Sequence, residues 1–341
     1  MLSLSSLSPL SRRFRRVVVV VGSVGATACT RPPPPPPPPP PSPPLASASP
    51  APSSSVASGP ALPAGAVPCT PSGTPACIRF ASNEDAFRWV LAHEPAILAI
   101  GEAHAQKGTE AVASATKRFT DSMVSLLENR ASDLLVEAWA GDPKCQKEVK
   151  QVASAQKPVQ QAQAAQNPNE YVALGTRAKA LGVQPHLLRP TCDDYASLAD
   201  AGPDVVMQSL GLIKRLTASD ATALFRRNEA AKSGKVVVTY GGAMHNDLAP
   251  AESLRQYSFG PELSETTAGR YVELDLIVPE YVKATDVWQK LPWYAAFQAD
   301  AGPKEKPRLY RLADRSFVLV FATSPPIGVE NTPPDHGGSR P

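Results

Sequence analysis

Two stretches decide how this chain of 341 residues folds: Ile97-Leu98-Ala99-Ile100-Gly101-Glu102-Ala103-His104 and Val236-Val237-Val238-Thr239-Tyr240-Gly241-Gly242-Ala243-Met244-His245. Each is a short apolar run that meets glycine and reaches histidine by Gly-x-x-His. A continuous apolar run this short, closed by a breaker, reads as a strand buried on both faces. Glycine at its end is expected to let the chain turn tightly where the strand stops. A third run, Leu134-Leu135-Val136, ends directly on Glu137.

Outward from these strands, the pattern alternates. Ser82 or Asn83 is placed to cap a helix carrying Phe87, Trp89, Val90 and Leu91. Residues 109–129 have helical spacing at Val112, Ala115, Phe119, Met123, Leu126 and Leu127. Residues 143–166 are rich in Gln, Ala and Lys, which predicts a solvent-facing helix. Residues 169–181 form another, closed by Gly182. Residues 183–188 read as a strand. Residues 204–232 read as a long helical region, with a break expected near 217–220. Residues 271–278 and 317–321 are further strands, and residues 308–321 predict a C-terminal hairpin turning at Ala313-Asp314. Strand and helix in alternation give an α/β domain with a mostly parallel sheet flanked by helices.

In such sheets, ligands bind beyond the carboxyl ends of the strands. Glu102 and His104 are two apart, so in extended chain both point to one side. Glu137 and His245 stand at equivalent strand ends. Glu102, His104, Glu137 and His245 are therefore the candidate catalytic cluster. Two imidazoles and two carboxylates suit a divalent metal of the zinc, manganese or iron class. They equally suit acid/base hydrolysis without a metal. Tyr240, just before Gly241-Gly242, is placed to add a phenol to the cleft as a cofactor contact. His93 and His186 are given structural roles, and His336 falls in the tail. Trp288, Trp293, Tyr294 and Phe297 are read as core or lid packing.

The N-terminus has its own pattern. Arg12, Arg13, Arg15 and Arg16 precede the apolar run Val17 to Val21, then Ala26-Thr27-Ala28-Cys29. Basic, apolar and small-residue zones in that order read as an export signal over residues 1–28. The apolar zone is too short to span a bilayer, which takes about 20 residues. A cysteine directly after the small residues points to cleavage there and lipidation of Cys29, holding the protein to a membrane of a bacterial cell envelope. Residues 29–68 are dominated by Pro, Ala and Ser, with an unbroken proline run at residues 32–41. That composition cannot bury a core; it favours polyproline II and reads as a stiff tether. The folded domain is expected over residues 69–323, with a loose tail over 324–341.

Composition narrows the function classes. The formal charge is +3, and removing the four leader arginines makes the mature chain −1. No basic patch argues for nucleic acid; the expected partners are membrane lipid through Cys29 and a small-molecule or peptide substrate. Beyond Cys29, the even set Cys69, Cys77, Cys145 and Cys192 suggests two disulfides in an exported chain. A local Cys69–Cys77 loop with Cys145–Cys192 across the fold is one of three pairings. No Gly-x-Ser-x-Gly elbow and no phosphate-binding Gly-rich loop with lysine is present.

The motifs ILAIGEAH (Ile97 to His104), LLVEAW (Leu134 to Trp139) and VVVTYGGAMH (Val236 to His245) resemble, in their order, the superfamily of ChaN-like haem-binding lipoproteins, erythromycin esterases and Tiki/TraB proteins. The resemblance spans roughly residues 81–321. It implies an erythromycin-esterase/ChaN-like α/β fold with a cleft at Glu102, His104, Glu137 and His245. The activities it implies are ester hydrolysis, metal-dependent peptide hydrolysis, or haem or iron binding without catalysis.

Lipidation is directly testable. A radioactive fatty acid should label the wild-type chain and not Cys29→Ser; absence of label, or label persisting in the variant, contradicts the reading.

Overall fold

A computed structural model describes residues 60–70 and 73–324. The leader, Cys29, the proline run and the tail beyond residue 324 lie outside the described residues, as does His336. Among the described residues, one sheet holds nine strands: β1 (Val67–Pro68), β2 (Ala76–Arg79), β3 (Ile97–Glu102), β4 (Ala131–Trp139), β5 (Gln184–Leu188), β6 (Val236–Gly242), β7 (Tyr271–Ile277), β8 (Arg308–Ala313) and β9 (Ser316–Val320). Their spatial order is β1-β2-β8-β9-β7-β3-β6-β4-β5. The pairs from β9 to β5 are all parallel, and β1, β2, β8 and β9 form an antiparallel flank. The expected α/β class, the mostly parallel sheet and the C-terminal hairpin are all present. The hairpin turns at Asp314-Arg315.

The alternation of side chains in the central strands explains the layers. Leu98, Ile100, Val238 and Tyr240 face one core, where Phe87 of α1 (Asn83–Leu91) and Thr116's neighbour Ala115 of α2 (Ala115–Arg118) pack with Phe119 and Leu127. Ile97, Ala99, Leu135 and Val237 face the other, against Ala218, Ala221 and Phe225. All six residues of β3 are buried. Burying one such Leu or Ile contributes roughly 1.5–3 kcal/mol, so the apolar runs hold the sheet between its helices.

The remaining helices refine the expectations. Ser82 caps α1, accepting the Asp85 N–H at 3.1 Å. The helix expected over 109–129 starts only at α2, where Ser114 supplies the cap. It continues as a π turn (Phe119–Met123) and a 3-10 turn (Val124–Leu127). Next come α3 (Gln146–Ala162), α4 (Asn167–Ala180), α5 (Cys192–Asp200) and α6 (Val205–Ala230). Gly182, at φ +77°, closes α4 as expected. The break expected near 217–220 does not occur. Thr217, Ala218 and Ala221 are buried, and that packing outweighs the weak helix preference of the Thr, Ser and Asp there. Short helices α7 (Ala243–Asn246), α8 (Gly260–Thr266), α9 (Asp286–Gln289) and α10 (Tyr294–Ala299) follow. Trp293 is buried on Tyr310 beside Trp288 and Phe297, the packing role expected for that aromatic group.

Residues 60–68, assigned by composition to the tether, take part in the fold: β1 pairs with β2, and Trp89 Nε1 donates to Pro60 O at 3.1 Å. The Cys69–Cys77 disulfide joins these two strands. The second expected bridge does not form. Cys145 and Cys192 remain thiols, meeting where the loops after β4 and β5 run side by side.

Gly101 lies within β3 and does not turn the chain, contrary to the reading from sequence. It makes room instead. A Cβ on it would stand 2.5 Å from Asp275 Oδ1 and 2.6 Å from the Cα of Ala243, the first residue of α7. Gly101→Ala should therefore destabilise the domain by about 1–3 kcal/mol, because backbone has to move. Urea unfolding measures this, and an unchanged midpoint would contradict it.

Candidate active site

Parallel order brings the strand ends together at one edge of the sheet. Glu102 ends β3 and is in register with Gly242 at the end of β6. Glu137 lies near the end of β4, the other neighbour of β6. His104 follows β3 by two residues, and His245 sits in α7 immediately after β6. All four side chains of the predicted cluster line one cleft of about 580 Å³.

Glu102 is almost wholly buried, at 4 % exposure, and both of its oxygens are occupied. Oε1 accepts from His104 Nδ1 at 2.9 Å and Tyr171 Oη at 3.1 Å. Oε2 accepts from Thr116 Oγ1 at 2.7 Å and Tyr240 Oη at 2.9 Å. Burial works to raise its pKa. The hydrogen bond and charge of His104 and the hydroxyls of Thr116 and Tyr240 outweigh burial and hold the carboxyl below its ordinary value. Both phenols are pushed well above their usual range by burial and by the Glu102 charge, so they stay neutral donors.

Tyr240 therefore does not serve as a contact in the cleft, as its position in sequence suggested. It lies beneath Glu102, 1 % exposed and stacked on Phe119 with ring centroids 5.3 Å apart, and does not line the cleft. Its hydroxyl steadies Glu102. Tyr171 and Thr116 are the partners that sequence reasoning missed. Each sits in a helix without a motif around it, and only the fold brings it to Glu102.

His104 is the reciprocal half of this pair. Its Nδ1 must carry the hydrogen, because an ionised carboxylate only accepts. Burial works to lower its pKa; the Glu102 hydrogen bond and charge, with the Glu137 charge, outweigh that and raise it to about 9. Near neutral pH the ring is an imidazolium. Its side chain keeps 23 % exposure, which lets Nε2–H reach the cleft.

His245 is held differently. Its Nδ1 lies 2.8 Å from Tyr257 O, a carbonyl that can only accept, so Nδ1 carries the hydrogen and Nε2 is the nitrogen left to exchange a proton on the Glu137 side. That Nε2 is 3.8 Å from Glu137 Oε1. Glu137 Oε2 accepts the Gly242 N–H at 2.7 Å. Gly242 is the floor of the group: a Cβ there would lie 3.3 Å from His104 Nε2, 3.6 Å from Glu137 Oε2 and 3.8 Å from His245 Cδ2. Gly241 is tighter still, since a Cβ would stand 2.3 Å from Glu137 Oε2. These glycines, like Gly101, allow close approach rather than a turn.

Above this floor the wall is apolar. Leu210 and Ile213 of α6, Val159 of α3 and Trp288 of α9 line the cleft, with Gln156 and Gln160 at its side. His93 and His186 keep structural roles: His93 Nδ1 bonds Trp89 O at 3.0 Å, and His186 Nε2 bonds Asp133 Oδ1 at 2.8 Å.

A metal ion fits the Glu/His set poorly. Glu102 has four donors on it and orients His104 instead of facing an ion. Among the described residues, the group of His, Cys, Asp and Glu side chains whose ligand atoms all lie within 4.8 Å of one another is Asp142, Cys145 and Cys192. Glu102, His104, Glu137 and His245 do not converge that closely.

The raised pKa of His104 makes stability depend on pH. The folded state holds this proton more tightly than the unfolded chain, so the stabilisation is complete below the ordinary value of 6.5 and disappears as pH rises through about 9. The stability difference between wild type and His104→Asn should shrink by roughly 2–3 kcal/mol between pH 6 and pH 10. Denaturant unfolding across that range measures it, and a difference independent of pH would refute the charged pair.

Compared with protein-family models, with curated proteins and with solved structures, the chain finds no match. A functional reading therefore rests on the geometry of the cleft.

Proposed function

We propose that the chain is a membrane-anchored hydrolase of esters or amides that works by acid/base catalysis in the Glu/His cleft. The observation that carries this reading is the matched pair of imidazoles. Each has Nδ1 tied to a fixed acceptor and turns Nε2 to the cleft: the Nε2–H of a charged ring from His104, and from His245 the Nε2 beside Glu137. A fixed cationic donor beside an imidazole whose free nitrogen can take up a proton supplies an acid and a base in one cleft.

The steps follow from the positions. A water held between Glu137 and His245 loses a proton to His245 Nε2 as its oxygen attacks the substrate carbonyl. Imidazolium His104 donates a hydrogen bond to the oxyanion that develops, where a fixed positive donor is most effective. Collapse expels the alcohol or amine, which takes the proton from His245. The apolar wall selects a substrate with a sizeable apolar body. The cleft volume lies within the range usual for small-molecule sites.

The order of the ILAIGEAH, LLVEAW and VVVTYGGAMH motifs supports an erythromycin-esterase/ChaN-like assignment of the fold. Cys29 after its leader and the proline run support an exported lipoprotein. Haem or iron binding without catalysis is the competing reading, and the same protein distinguishes the two.

The full chain should hydrolyse members of a panel of aryl and alkyl esters and amides. His245→Ala should lower kcat by about 10²–10⁴-fold. Gly242→Ala, which crowds His104, should lower it at least about tenfold. Activity should fall on the alkaline side near pH 9, as His104 loses its proton. No hydrolysis, together with a Soret shift on haem titration that disappears in His104→Ala, would replace this reading with the binding one.

A further inference from the structure

Beside the cleft, the loops leaving β4 and β5 carry a second set of reactive side chains. Trp139 is paired with Leu188, and Ala140 N–H donates to Leu188 O at 2.9 Å, so the two loops start side by side. The first holds Asp142 and Cys145. The second leads to Cys192, the first residue of α5. Although 47 residues apart in sequence, the two sulfurs and the Asp142 carboxylate have ligand atoms within 4.8 Å of one another. We propose that Asp142, Cys145 and Cys192 form a site for one thiophilic divalent cation of the zinc class.

Geometry and chemistry agree on this. Around a tetrahedral zinc with bonds of about 2.3 Å, two sulfurs stand roughly 3.8 Å apart, inside the observed spread. Soft thiolates with one carboxylate select zinc over magnesium or calcium. Asp142 is already oriented: its Oδ1 accepts the Lys144 N–H at 2.8 Å, and its carbonyl accepts from Cys145 Sγ at 3.6 Å. Cys145 is buried and Cys192 half-buried, so one side stays open for a water as fourth ligand. Both sulfurs stand at helix starts, Cys145 directly before α3 and Cys192 at the first residue of α5.

Elsewhere in this chain Cys69 and Cys77 are bonded, whereas Cys145 and Cys192 are not. Without a cation, the hydrogen bond from Cys192, burial and neighbouring negative charge push the Cys145 thiol up to about 11. Cation binding reverses this, replacing each thiol proton and releasing it to solvent. The ion would fasten α3 and α5 to the ends of β4 and β5. Because α3 presents Gln156, Val159 and Gln160 to the cleft, it would brace the cleft wall.

The test uses the full chain purified in reduced form. Metal analysis should find one zinc per chain, and Cd²⁺ titration should raise a thiolate charge-transfer band. Cys145→Ser and Cys192→Ser should abolish the band. Asp142→Asn, which leaves both thiols and serves where a cysteine variant folds poorly, should weaken binding roughly tenfold or more. His104→Ala with His245→Ala should leave it unchanged. The proposal is overturned by the lack of a band, by a band that survives Cys192→Ser, or by a Cys145–Cys192 linked peptide in chain isolated without reductant.

Discussion

The site is built around one buried negative charge. A carboxylate removed from water costs several kcal/mol unless it is paired and hydrogen-bonded, and Glu102 receives four donors from four different parts of the chain. Thr116 comes from α2, Tyr171 from α4, Tyr240 from β6 and His104 from the loop after β3. The requirement to satisfy Glu102 thus fixes where two helices lie on the sheet. It also fixes the ring of His104 and its proton. Structure and chemistry meet in the same carboxylate, and removing that group would leave four donors without their acceptor.

The second constraint is space. Glycines at 101 and 241 have no room for a methyl group without displacing backbone or Glu137, and at 242 a methyl group would press on His104 Nε2 at 3.3 Å. They bring α7 down onto β3 and let Glu137, His104 and His245 approach each other over bare backbone. The floor of the cleft is therefore polar and crowded, and its wall, from α3, α6 and α9, is apolar and open. That contrast suits a reaction at one carbonyl in a substrate whose bulk is apolar.

Much of this was legible in the sequence, for specific reasons. Runs such as ILAI and VVVTY announce buried parallel strands because both faces are covered, and strand ends in such sheets are where chemistry collects. Glu102, His104, Glu137 and His245 were found on that ground alone. The direction of Tyr240 was not, since strand periodicity says that neighbours alternate but not which face is the cleft. Tyr171 and Thr116 carry no local signal, because their role exists only once α2 and α4 pack. β1 and β2 are too short and mixed to show a period, and their pairing depends on β8, over 200 residues away in sequence. The helix at 205–230 stays unbroken through Thr217 because burial, invisible to propensity, holds it. Counting suggested a disulfide between Cys145 and Cys192, one of three pairings, whereas the structure holds them as neighbouring free thiols. Counting could not show that a carboxylate stands with them.

Nitrogen NMR of the imidazole rings is the most direct test of the central claim that the cleft holds a fixed acid and a fixed base. With ¹⁵N-labelled histidine at neutral pH, His104 should show both ring nitrogens protonated and keep that state until about pH 9. His245 should keep Nδ1 protonated, donating to Tyr257 O, with Nε2 as the nitrogen that exchanges its proton. A His104 ring that titrates at its ordinary value near 6.5, or a His245 ring protonated at Nε2 in place of Nδ1, would contradict the account.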